Sequence, residues 1–111
     1  MRNMVDDIDF QDGVIELNDF YYEPEMYPEE QKWFFKNDIL QVQYDDGKYI
    51  LDVGWLPEFN LIEGAFKIVA IYNYDWDKPV FRRNAVEINK AKLFLKEAIE
   101  LIGKLRFTRD G

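Results

Sequence analysis

Ile39-Leu40-Gln41-Val42-Gln43-Tyr44-Asp45-Asp46-Gly47-Lys48-Tyr49-Ile50-Leu51-Asp52-Val53-Gly54-Trp55 carries the strongest local pattern in the chain. Side chains alternate across a strand, so Leu40, Val42 and Tyr44 share one face while Gln41 and Gln43 take the other. Asp45-Asp46-Gly47 supplies turn chemistry, because glycine adopts positive φ at little cost. The chain then returns with Tyr49, Leu51, Val53 and Trp55 on one face and Lys48, Asp52 and Gly54 on the other. These two runs predict an antiparallel hairpin with one apolar side.

Downstream, Gly54 to Asn60 carries Pro57, which has no backbone donor and breaks the ladder. Phe66 to Asn73 is apolar on both faces, as a central strand requires. Tyr74 to Pro79 reads as a turn or wide loop, and Val80 to Arg83 as an edge strand guarded by two arginines. Ala91, Phe94, Leu95, Ala98, Leu101, Ile102 and Leu105 recur at helical spacing and form one apolar stripe. Asn89 or Asn84 is placed to open that helix and Gly103 to end it, with Lys104 and Arg106 near its negative end.

Upstream, Ile8 and Phe10 alternate with Asp7 and Asp9. A turn at Gln11-Asp12-Gly13 then leads to Val14–Leu17, which together predict a second hairpin. Asn18 to Glu30 holds Pro24 and Pro28 and reads as a surface loop, with a helical turn opening near Pro28. The expected fold is α+β: a mostly antiparallel sheet of four to six strands with one C-terminal amphipathic helix packed on a face. At 111 residues, the whole chain 1–111 fits one domain.

Composition narrows the chemistry. The chain contains no cysteine, histidine or serine, and its only threonine is Thr108. That removes disulfides, thiolate nucleophiles, the commonest metal ligand and the commonest general base near neutral pH. An enzyme would have to run on carboxylates, lysine or tyrosine. Asp45-Asp46 fits a turn, and Asp75 with Asp77 falls short of the six or more oxygens a calcium site needs. Gly47-Lys48 follows an acidic turn and lacks the glycine-rich loop that cradles phosphate. The reading is therefore a non-enzyme without metal or cofactor. The first residues lack the apolar stretch of a secretory signal, and no run reaches the roughly 20 apolar residues that span a bilayer, so the cytoplasm is the expected location.

Charge is distributed unevenly. The net charge is −8, yet residues 1–30 hold ten acids against one base, while residues 31–111 hold twelve acids against thirteen bases. In the first third the acids alternate with Phe10, Phe20, Tyr21, Tyr22 and Tyr27. Solubility alone does not require rings among carboxylates, whereas a protein-binding surface uses rings as rigid anchors and charges for steering. The candidate partner-binding residues are Asp12, Glu16, Asp19, Tyr21, Tyr22, Glu23, Glu25, Tyr27, Glu29 and Glu30. Asp75, Trp76 and Asp77 join them because Trp76 lies in a polar turn. Such a field repels phosphate, so nucleic acid is not the expected partner.

Three segments together resemble the small immunity proteins of bacterial contact-dependent growth inhibition and related polymorphic-toxin systems. They are Tyr49-Ile50-Leu51-Asp52-Val53-Gly54-Trp55-Leu56-Pro57-Glu58-Phe59, then Phe66 to Tyr72 followed by Asp75-Trp76-Asp77-Lys78-Pro79, then the closing amphipathic helix. The resemblance covers roughly the last two-thirds of the chain in layout. It implies a cytoplasmic protein that neutralises a cognate toxin domain, in many cases a nuclease with a basic cleft. The alternative is a small structural or regulatory subunit that self-associates through sheet edges. A carboxylate enzyme is the third reading, and nothing in the spacing of the acids supports it.

Overall fold

The computed structural model describes residues 1–110, with side chains through residue 108. Along it run β1 (Arg2–Asn3), β2 (Val14–Asn18), β3 (Tyr21–Tyr22), a 3-10 helix (Pro28–Phe34), β4 (Leu40–Tyr44), β5 (Tyr49–Leu56), β6 (Ala65–Tyr72), β7 (Phe81–Ala85) and α1 (Ile88–Asp110). A five-stranded antiparallel sheet has the order β2-β4-β5-β6-β7, and β1 with β3 forms a separate antiparallel pair. The architecture is α+β, with the C-terminal helix on one face of the sheet. Among the described residues, no helix is long and apolar enough to cross a membrane.

The β4–β5 hairpin forms in the register that the alternation requires: Leu40 opposite Val53, Val42 opposite Leu51, and Tyr44 opposite Tyr49. Their side chains meet Phe66, Ile68 and Ala70 of β6, and α1 closes the core with Ala91, Leu95, Ala98 and Ile102. Trp55 lies at one end of this core, its ring centroid 4.8 Å from those of Phe35 and Phe66. Strand β6 lies inside the sheet, as its two apolar faces require, and β7 is an edge. The edge strand begins one residue later than expected and runs to Ala85.

The expected N-terminal hairpin does not form. Ile8 and Phe10 are buried, but residues 8–10 are not a strand, and β2 pairs with β4 instead. Local turn chemistry prevails there. The Asp9 carboxylate accepts the Gln11 amide at 2.7 Å, Gln11 takes φ 59°, and the Tyr44 hydroxyl donates to the Phe10 carbonyl at 2.9 Å. A pattern of two apolar residues cannot distinguish a strand from a turn that tucks both rings inward.

The helix also differs at both ends. It opens at Ile88, with the Ala91 amide bonded to the Glu87 carbonyl at 3.0 Å, so Asn84 lies back in β7, Asn89 lies inside the helix, and neither is its first cap. It passes through Gly103. Glycine inside a helix costs roughly 1 kcal/mol relative to alanine, and the contacts beyond it outweigh that. Leu105 packs on the core, and Arg106 grips two distant carboxylates. Its Nη1 and Nη2 donate to Asp12 at 2.6 and 2.7 Å, while Nε and Nη2 donate to Asp45 at 3.0 and 2.7 Å. One guanidinium thus ties helix, N-terminal turn and β4–β5 turn together.

Replacing this clamp by Arg106→Leu is expected to lower the thermal midpoint by about 5 °C at pH 7. The hydrogen bond from Arg106 holds the Asp12 carboxyl below its ordinary range. An unfolded aspartate titrates near pH 3.9, so this stabilisation is present above that value and is lost as pH falls through the lower folded pKa. The difference between wild type and variant should shrink as pH falls below the range of an unfolded aspartate. Melting curves at pH 7 and in acid check this, and an undiminished difference in acid would count against the clamp.

Candidate protein-binding surface

Between β3 and β4 the chain makes an excursion that stands proud of the sheet. Pro24 and Pro28 keep it out of any ladder, and Pro28 fits the first turn of the 3-10 helix. The organiser is Gln31, which is 2% exposed and the one buried polar residue among the described side chains. Its Nε2 donates to the carbonyls of Glu23 at 2.9 Å and Met26 at 3.2 Å, and its Oε1 accepts the Glu23 amide at 2.9 Å. The polar end of one side chain thus replaces the backbone pairing that the prolines deny. Gln31→Leu would strand the Glu23 amide and carbonyl. The expected cost is about 2 kcal/mol in urea unfolding, with faster amide exchange across residues 23–30.

This scaffold turns large side chains outward. Tyr27 is 78% exposed and Trp33 is 64% exposed, while Phe35, two residues on, is buried beside Trp55. Trp33 meets Phe59 edge-on at 5.1 Å, and the Phe59 amide donates to the Phe35 carbonyl at 2.7 Å. The connection between β5 and β6 therefore joins the excursion in one surface. There the Asn60 carboxamide oxygen accepts the amides of Ile62 and Glu63 at 3.1 and 2.9 Å, which leaves Ile62 95% exposed. Across residues 21–34 and 57–64 there are six acids, Glu23, Glu25, Glu29, Glu30, Glu58 and Glu63, and one base, Lys32. Lys32 is engaged with Glu29 at 3.2 Å and with the Trp33 ring.

The structure divides the other candidate residues among different places. Asp12 belongs to the Arg106 clamp, and Asp19 is paired with Lys36 at 2.8 Å. Glu16 lies exposed on edge strand β2. Tyr21 sits in the small ladder opposite Asn3, and Tyr22 is half-buried with its ring edge-on to Phe35 at 6.0 Å. Phe10 and Phe20 belong to the core. Asp7, in the same acidic third, bonds to Lys92 of α1 at 3.0 Å, which holds its carboxyl below the ordinary range. Part of the acid surplus thus fastens the N-terminal segment to the rest of the fold. Glu23, Glu25, Tyr27, Glu29 and Glu30 do come together.

Asp75, Trp76 and Asp77 lie elsewhere. They follow the far end of β6, an eight-residue strand, about 23 Å from the loop that enters it. Asp75 accepts the Lys78 amide at 3.2 Å, as turn aspartates do. Trp76 is half exposed and lines a groove of about 400 Å³ on the sheet face opposite the helix, with Asp52, Lys67, Val69 and Arg82. Burial holds the Asp52 carboxyl above its ordinary range, with Asp38 adding to the effect and a hydrogen bond from Gln41 opposing it. Among the described residues, no three histidine, cysteine or acidic side chains converge as metal ligands would.

Trp33, Phe59, Ile62, Glu58 and Glu63 were not among the candidates from sequence. A signal existed for Trp33, since successive rings at 33, 34 and 35 cannot all face one core. Phe59 and Ile62 offered none, because their role depends on a contact between segments about 26 residues apart. A scan against models of protein families finds no match for the chain, and neither does a comparison with curated proteins or with solved structures.

Proposed function

We propose that this protein is a binding inhibitor of the immunity type, acting in the cytoplasm on a cognate toxin domain with a basic active-site cleft. The observation that carries the reading is the outward Tyr27, Trp33, Phe59 and Ile62, with Trp33 and Phe59 in contact, on two segments that hold six glutamates and one lysine. Aromatic and aliphatic side chains held outward by a hydrogen-bonded scaffold are pre-organised anchors, and ordering them costs little on binding. The surrounding carboxylates attract a cationic partner and raise its association rate. The resemblance to immunity proteins supports the same class.

The test looks for a toxin-like domain encoded beside this chain and, once found, produces it as an inactive variant for binding and as the active form for growth rescue. The combined charge reversal Glu25→Lys, Glu29→Lys, Glu30→Lys and Glu63→Lys should slow association at least tenfold at low salt and erase its salt dependence. Trp33→Ala should instead accelerate dissociation, at a cost of about 2 kcal/mol. Unchanged kinetics in both variants, or no growth rescue by wild type, would reject the assignment.

Self-association through sheet edges has one observation in its favour. Val14 and Ile15 on edge strand β2 are 60% and 46% exposed, and an open apolar edge can pair with a second copy. Sedimentation at micromolar concentration separates the readings, because a dimer there would favour the subunit role.

A further inference from the structure

Beneath the acidic surface lies a cavity of about 490 Å³, within the usual range of ligand-binding pockets. Its walls include Tyr22, Pro24, Pro28, Phe35, Trp55 and Leu61, and it opens beside the start of α1. Among the described residues, Glu87 is its only charged lining residue, and no basic side chain lines it. Glu87 also sits where a negative charge offsets the positive end of the helix dipole, so the helix adds little pull on an anion. The same prolines that raise the excursion form one wall of the cavity. Glu23, Glu25 and Glu29 are the chain neighbours of these prolines, so the segment that forms this wall is acidic.

We infer that this cavity receives an aromatic side chain of the partner, presented on a segment with lysine or arginine on either side. An aromatic-walled pocket offers a ring both apolar burial and edge contacts with Tyr22, Phe35 and Trp55. Glu87 in the lining and the acidic segment around the prolines favour basic flanks and repel acidic ones, which gives specificity by charge as well as by fit. The inference rests on the proposed inhibitor role and adds the recognition element to it. The carboxylates steer, the surface rings add contact area, and the cavity holds the recognition residue.

The probes are three blocked pentapeptides titrated into the full chain and followed by amide chemical shifts. One carries phenylalanine between two pairs of lysines, the second has alanine in place of phenylalanine, and the third keeps phenylalanine between pairs of glutamates. The first should saturate with shifts centred on Leu61, Val86, Ile88 and Asn89, at least tenfold tighter than the second, with no saturable shifts from the third. Leu61→Trp, which fills the cavity, should weaken the first peptide at least tenfold. Val86→Lys, at a position 67% exposed, should do the same if the first variant fails to fold. Equal binding of the two lysine peptides would overturn the anchor while leaving the charge-based inhibitor reading intact. Equal binding of both phenylalanine peptides would overturn the basic partner, and no binding of any peptide would overturn the recognition element.

Discussion

Gly54→Ala is expected to cost about 4 kcal/mol and to leave much of the protein insoluble on expression. Gly54 lies on β5, on the face away from the helix, where the chain leading from Phe35 into β4 crosses the strand. A Cβ there would collide with the backbone carbonyl oxygen of Asn37 and lie 2.9 Å from its carbon. Neither side can yield easily. The Trp55 amide bonds to the Lys36 carbonyl at 2.7 Å, and the Ile39 amide to the Val53 carbonyl at 3.0 Å, pinning both backbones on either side of the clash. Overpacking costs typically 1–3 kcal/mol where side chains can move aside, and a backbone collision falls at or above the top of that range, about 4 kcal/mol here. Single domains are stable by only about 5–15 kcal/mol. Urea unfolding of whatever folds should show a correspondingly reduced midpoint, and a near-native midpoint would show that the crossing is looser than described.

Trp55→Ala should cost about 4 kcal/mol as well, by a different route. The indole is 2% exposed and packs edge-on to Phe35 and Phe66, so truncation leaves a large void in a core that closes poorly. Its Nε1 also donates to the Asn60 carbonyl at 3.0 Å, and Gly64 can pack against it only because glycine has no side chain to collide with the indole. The ring therefore supports the 57–64 connection that presents Phe59 and Ile62. Trp55→Phe separates the two effects. It should recover part of the stability by filling the core, yet still loosen that connection, read as faster amide exchange at Ile62 and Glu63. If Trp55→Phe left exchange there unchanged, the indole hydrogen bond would have no structural role.

The hairpin and the helix were legible because their signals are local. Leu40 to Trp55 carries strict alternation around an acidic turn with glycine, and Ala91 to Leu105 carries one stripe at helical spacing. Strand β6 was legible for the same reason. The first thirty residues were not, because their structure is set by partners far along the chain. Val14–Asn18 could not reveal that it pairs with Gln41 and Gln43 rather than with its neighbours. Arg2 and Asn3 gave no hint of pairing with Tyr22 and Tyr21. Gly103 looked like a stop because a helix is judged locally, and the grip of Arg106 on Asp12 lies 94 positions away in sequence. The candidate surface was half legible: the glutamates and Tyr27 could be read from composition, but their union with Trp33, Phe59 and Ile62 is a tertiary event.

That long-range grip has a consequence for synthesis. The acidic turn at Asp12 and the loop at Asp7 are made long before the lysine and arginine that fasten them, at positions 92 and 106. While the helix is still inside the ribosomal exit tunnel, the sheet lacks its lid and the N-terminal segment lacks its anchors. Both therefore close together, when α1 emerges and docks.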